Sequence, residues 1–118
     1  MAPDISQAFE RLKHAAEGLS GVVEGTSYGT PALKVGKKML ARMKDAATVV
    51  LPCPLEEKEV LIEAAPAVYF ETDHYKGWPL VLARMNAIGD EELGHRLGLA
   101  WSMLAPKALL KARRAGTG

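Results

Sequence analysis

The stretch Ala32–Lys44 reads ALKVGKKMLARMK. Its apolar and basic residues alternate on both sides of Gly36-Lys37, the pattern of two antiparallel strands joined by a tight turn. Strict alternation places Leu33, Val35, Met39, Ala41 and Met43 on one face. It places Lys34, Lys38, Arg42 and Lys44 on the other, together with Leu40.

Further strand signals lie on either side. Val22–Glu24 precedes the hairpin, and Thr48–Leu51 follows it and stops at Pro52 and Pro54, since proline cannot donate to a ladder. Val68–Glu71 and Leu80–Met85 enclose the loop Thr72–Pro79. Helical spacing marks three other segments. Residues 4–19 carry the stripe Ile5, Ala8, Phe9, Leu12, Ala16 and Leu19, with Asp4 at the start and Gly18 and Gly21 at the exit. Residues 55–64 form a short, glutamate-rich helix. After Gly89-Asp90, Leu93, Leu97, Ala100, Trp101 and Leu104 make an apolar stripe that ends at Pro106. The order is helix, four strands, short helix, two strands, helix. This predicts an α+β fold, with a mainly antiparallel sheet and two long helices on one face. Trp101, on its stripe, is expected in the core with Leu12, Leu93 and Leu97.

The composition sets outer bounds. The 118 residues read as one domain, residues 1–118, and a chain this long buries about two-thirds of its surface on folding. Fifteen basic against fourteen acidic residues give a net charge of +1, which is no bulk polyanion-binding signature. The single cysteine, Cys53, permits no internal disulfide and fits a reducing compartment. The N-terminal MAPDISQAFERL has no apolar core of a signal peptide, and no apolar run approaches the length of a membrane span. A cytoplasmic protein without membrane contact is expected.

Charge is nevertheless segregated. Residues 34–44 hold five basic and no acidic side chains, while residues 56–63 hold four acidic and one basic. Beyond Lys107 the tail adds Lys111, Arg113 and Arg114 without an acid. One reading is a nucleic-acid platform of Lys34, Lys38, Arg42, Arg84 and Lys107, since clustered cations attract phosphates. The other is an ordinary solvated sheet face. The loop Asp73-His74-Tyr75-Lys76-Gly77-Trp78-Pro79 sets two aromatic rings, an imidazole and an ammonium in seven residues. Such loops bind ligands or stack on bases; alternatively, Trp78-Pro79 packs beneath the loop. With Tyr28 from the Tyr28-Gly29-Thr30-Pro31 turn, the residues His74, Tyr75, Lys76 and Trp78 define a candidate ligand cleft for a small molecule or a protein partner.

Catalysis and cofactors find no support. Ser27 sits in no nucleophile elbow, and Cys53 lies between two prolines with no nearby histidine. His14, His74 and His95 lack metal-ligand spacing, and no phosphate-binding glycine loop occurs. A non-enzymatic protein with no cofactor, metal or catalytic residue is expected.

Three segments together resemble a known family. They are Glu24–Pro31 (EGTSYGTP) followed by Lys34–Met39 (KVGKKM), then Thr72–Pro79 (TDHYKGWP), then Trp101 with Ala105-Pro106-Lys107. In this order and spacing they resemble the MmcQ/YjbR family of small bacterial proteins, over nearly the whole chain from Phe9 to Lys107. The resemblance implies a frataxin-like (CyaY-like) fold and DNA binding. It implies no frataxin-like iron site. The first helix offers only Asp4, Glu10 and Glu17, interleaved with Arg11 and Lys13, and hard cations need converging oxygen ligands.

Overall fold

In the computed structural model, which describes residues 4–110, the elements follow the expected order. They are α1 (Ile5–Ala15), β1 (Val22–Ser27), β2 (Thr30–Val35), β3 (Lys38–Asp45), β4 (Thr48–Pro52), α2 (Leu55–Ala64), β5 (Tyr69–Phe70), β6 (Leu80–Arg84) and α3 (Asp90–Leu104). A single 3-10 turn, Asp73–Tyr75, lies between β5 and β6. Lys111, Arg113 and Arg114 fall outside the described residues.

Six strands form one antiparallel sheet in the order β1-β2-β3-β4-β6-β5. The first four follow each other through short turns. β6 then pairs with β4, leaving β5 at the edge. The fold is therefore α+β, as the element order predicts. α1 and α3 pack against each other and onto β2, β3 and β4, and α2 packs on β5 and β6. The core between the long helices and the sheet contains Leu12, Leu33, Val35, Met43, Val49, Val81, Leu93, Leu97 and Trp101. Trp101 is 1% exposed, and its indole N–H donates to the Ser20 carbonyl at 2.8 Å. This satisfies the one polar group that burial would otherwise strand.

α1 begins where Asp4 accepts a hydrogen bond from the Ser6 amide at 2.9 Å. It ends at Ala15, earlier than the expected 19, as the chain turns toward Gly18. Asp90 opens α3, and its carboxylate pairs with Arg11 at 2.5 Å. The Arg11 guanidinium also donates to the Met85 and Ile88 carbonyls, tying α1 to the start of α3.

The alternation across the hairpin breaks at one point. Leu33 pairs with Ala41 and Lys34 with Met39, so Leu40 is an extra residue, a β-bulge. The bulge corrects the expected faces. Leu40 is fully buried in the helix-side core, and Met39 moves to the opposite face with Arg42. Lys38 leaves the basic face too. It pairs with Val35, a core residue, and directly opposed residues share a face. The physical cause is burial: a leucine in the bulge gains the core, worth about 2 kcal/mol, at the cost of one disrupted ladder step. A second irregularity makes Lys44 the extra residue between Met43 and Asp45.

The face away from the long helices is only partly covered. Register aligns Ala32, Arg42, Val50, Leu82 and Phe70 as one row across five strands. Tyr75 packs on this row with Val50 and Leu82 in a second, smaller apolar cluster, joined by Met39, Phe70 and Leu80.

Candidate functional site

The open sheet face, the β1–β2 turn and the 73–79 segment enclose a cavity of about 850 Å³. Its floor is Met39, Val50 and Leu80, and its walls are Tyr28, Arg42, Lys44, Thr72, His74, Tyr75 and Trp78.

Each wall has a local cause. The two-residue turn Tyr28-Gly29 joins Ser27 to Thr30, with φ at 52° for Tyr28 and 79° for Gly29. Both central residues are left-handed, the conformation that matches the twist of a two-residue hairpin. Glycine adopts it freely. Tyr28 does so at a cost of about 1 kcal/mol. The turn lifts the Tyr28 ring, 90% exposed, to the cavity rim, with the Arg42 guanidinium carbon 5.1 Å from the ring centroid. Across the cavity, the 3-10 turn buries Tyr75 while leaving Trp78 61% exposed. His74 meets the Tyr75 ring edge-on, with centroids 5.1 Å apart.

Arg42 lies at the centre, only 9% exposed. It donates to the Tyr75 hydroxyl, and to the Thr30 hydroxyl at 3.4 Å. Both partners are neutral. Among the described residues, no carboxylate lies within ion-pair distance of this guanidinium. The cavity lining also contains no aspartate, glutamate, serine or cysteine. It offers cationic and hydroxyl donors, an imidazole and flat rings on an apolar floor. These are groups that hold and orient a ligand.

The sequence-selected residues thus fall into two groups. Tyr28, His74, Tyr75 and Trp78 converge on the cavity, while Lys76 is exposed and outside its lining. The five basic residues do not form one stripe. Arg42 is buried in the cavity wall. Arg84 stacks 4.1 Å over Phe70 and donates to the Pro66 and Ala67 carbonyls. Lys34 shares the Arg42 face and lies half-buried against Gly25. Lys38 and Lys107 are exposed at the hairpin end, where Pro106 packs on Gly36.

Sequence reading missed Lys58, which anchors the 73–79 segment from below. Its side chain is 2% exposed, and its ammonium donates to the Tyr75 carbonyl at 2.8 Å and the Trp78 carbonyl at 3.0 Å. The available signal was positional: Leu61 and Ile62 stand three and four residues on, so Lys58 shares the apolar face of α2. Cys53 is buried, and burial, with the Glu57 carboxylate nearby, pushes its thiol up to about 11, away from a reactive thiolate. Among the described residues, no group of three or more His, Cys, Asp or Glu side chains could hold a metal. No described helix is long and apolar enough to cross a membrane.

Comparison with known proteins places this architecture. A crystal structure of a Deinococcus radiodurans protein, assigned to the DUF419 family, superposes with a TM-score of 0.72 at 22% identity. That likeness covers 98% of this chain and 91% of the other, and at this identity it speaks for the fold alone. Uncharacterised proteins of Mycobacterium bovis and Mycobacterium tuberculosis are 43% identical over 61 residues, 52% of this chain. The matched stretch spans about half, 47%, of those relatives' length. The YjbR family model matches residues 17–103, a span that runs from just beyond α1 through nearly all of α3 and includes every residue of the cavity, so the chain belongs to the YjbR family.

Proposed function

We propose that this YjbR protein is a non-enzymatic binding protein whose site is the cavity between the Tyr28 turn and the 73–79 segment, and whose ligand is a small organic molecule. The observation that carries the reading is convergence. Tyr28 and the His74, Tyr75 and Trp78 group, far apart in sequence, line one cavity of about 850 Å³ over an apolar floor. That volume is in the range of sites that enclose a small molecule, and a few polar groups on apolar walls are their usual chemistry. A lining without aspartate, glutamate, serine or cysteine favours binding over catalysis. The two long helices on one face of an antiparallel sheet fit a CyaY-like reading of the fold. The lone buried Cys53 fits a cytoplasmic setting.

Single-stranded DNA is the second candidate partner. Exposed Trp78 in a lining that also carries Lys44 favours it, because bases stack on such rings while cations meet phosphates.

Tryptophan fluorescence tests the reading. Trp78 is exposed and Trp101 is buried, so the solvent-exposed component of the emission reports on Trp78. A screen of small organic compounds, with single-stranded and duplex DNA alongside, should find compounds that quench this component saturably. Trp78→Ala should abolish that response. A screen in which only DNA responds would replace the small-molecule reading with the nucleic-acid one.

A further inference from the structure

We infer that the ligand of this cavity is an aromatic anion, a planar ring carrying a carboxylate or phosphate group, with Arg42 as its counter-charge and Tyr28 and Trp78 as its flat walls. This rests on the cavity being the binding site and specifies the chemistry of what fills it.

The argument starts from charge. A guanidinium never loses its proton in a protein, so burial cannot neutralise it. Buried charges are normally paired, because removing an ion from water costs several kcal/mol unless an opposite charge repays it. The other well-buried cations among the described residues follow the rule. Lys58 pairs with Glu71 at 2.8 Å, and Arg96 pairs with Glu57 at 2.6 Å. Arg42 is as enclosed as these, yet it meets only two hydroxyls and the face of Tyr28. Of its five N–H donors, two are used within the protein. Lys44 and His74 line the same cavity, and no carboxylate does. The cavity therefore has a positive potential and donors to spare.

Shape supplies the second half. The planar fork of a guanidinium matches a carboxylate or a phosphate, either of which accepts two parallel N–H bonds. Tyr28 and Trp78 stand exposed at the rim with His74, and Tyr75 packs on the apolar floor. Aromatic rings in this arrangement favour a flat ligand, which they contact by stacking. Tyr28 holds a left-handed φ of 52° in a turn position where asparagine or glycine would fit without strain. Backbone strain of this kind is characteristic of binding sites, and here it sets an aromatic ring over Arg42.

The experiment compares probes with and without an anionic group: benzoate against benzamide, and adenosine 5′-monophosphate against adenosine. Binding is followed by NMR at the Trp78 indole N–H and the Arg42 Nε–H, which registers millimolar affinities. The charged member of at least one pair should bind roughly tenfold to a hundredfold tighter, the worth of a charge-assisted hydrogen bond in a partly desolvated site. Arg42→Met should remove that preference while weak binding of the uncharged partner persists. Arg42→Lys should restore part of it, which separates loss of charge from loss of fold; circular dichroism of both variants completes the control. Equal binding of charged and uncharged members at these signals would overturn the anion inference and leave the cavity reading standing. Shifts from none of the four probes would overturn both. A thymidine oligonucleotide that binds where the mononucleotide does not would replace the small anion with single-stranded nucleic acid.

Discussion

The ammonium of Lys58, in the middle of α2, lies 2.8 Å from a carboxylate oxygen of Glu71, at the start of the segment that forms the far wall of the cavity. The same ammonium donates to the carbonyls of Tyr75 and Trp78, so all three of its hydrogens have partners. One buried cation thus holds the 71–78 segment at both ends. Lys58→Met should cost about 3 kcal/mol, the low end for a broken buried pair because Glu71 is partly open to water. Adding Glu71→Gln should recover about 1 kcal/mol by removing the stranded charge. Urea denaturation of the three variants measures both effects. Amide exchange across residues 72–79 should quicken in Lys58→Met more than in α1 or α3. A uniform change over the whole chain would show that the pair stabilises the fold without holding the loop.

Trp101 bears on the helix-side core. Trp101→Ala should destabilise by about 3–5 kcal/mol, through lost contacts and the cavity left behind. Trp101→Phe retains most of the ring but loses the indole hydrogen bond to the Ser20 carbonyl, and should cost about half as much. Thermal and urea unfolding provide the comparison. A cost below about 1 kcal/mol for the alanine variant would contradict its burial.

Stability should fall in alkali. Burial, chiefly, and the Glu57 charge raise the Cys53 thiol from 9.0 to about 11. Burial and the hydrogen bond to Glu92 raise the Tyr69 hydroxyl from its ordinary 10.0. Below pH 9 both groups are protonated whether the chain is folded or unfolded, and their contribution is fully present. As pH rises through 9 the unfolded chain loses the thiol proton first, so the folded state becomes progressively less stable until the folded thiol titrates near 11. Cys53 alone accounts for about 2–3 kcal/mol over that interval. Cys53→Ala should flatten this part of the curve, measured by urea midpoints in reducing buffer. A flat wild-type profile from pH 8 to 11 would refute the account.

Tyr28 trades stability against binding. Tyr28→Asn relieves the left-handed strain, about 1 kcal/mol, and gives up a cation–π contact worth about 0.5–1 kcal/mol at an exposed site. Its melting temperature should match or slightly exceed that of the wild type. Ligand affinity should fall several-fold, since the ring over Arg42 is gone. A variant that melted well below the wild type would make the ring a structural element of the turn.

Duplex DNA provides a further test of the site. Arg42 is recessed in the cavity wall, out of reach of a duplex backbone, and Arg84 is engaged with Phe70 and two carbonyls, so of the five basic residues considered, Lys34, Lys38 and Lys107 remain to meet duplex phosphates. The share of these five in the logarithmic salt slope should then be about −2.7, against about −4.5 if all five took part. Filter or anisotropy titrations across a salt series would read the slope, and the steeper value would mean that both arginines swing free.

Local pattern was enough to determine the order of elements, the Gly36-Lys37 hairpin turn, a turn at Tyr28-Gly29 and the helix stripes of this protein, because each depends on residues a few positions apart. Alternation defines a strand wherever it falls, and Gly29 and Gly36 permit tight turns whatever surrounds them. The aromatic loop at 73–79 was also visible, since three rings in five residues is a local feature. The tertiary structure alone decided the rest. Leu40 could be assigned to the core only once α1 and α3 had covered one face of β3, because the gain from burying it made the bulge worthwhile and carried Met39 to the other side. Arg42 read as one lysine-like charge among five until the strand order placed it between Thr30 and Tyr75, residues 12 and 33 positions away. Lys58 was a lone cation in an acidic helix until the chain folded back to offer Glu71 and two carbonyls. In all three cases the partners are distant in sequence, and the energy of burying a leucine or satisfying a charge depends on what the whole sheet and its helices exclude from water.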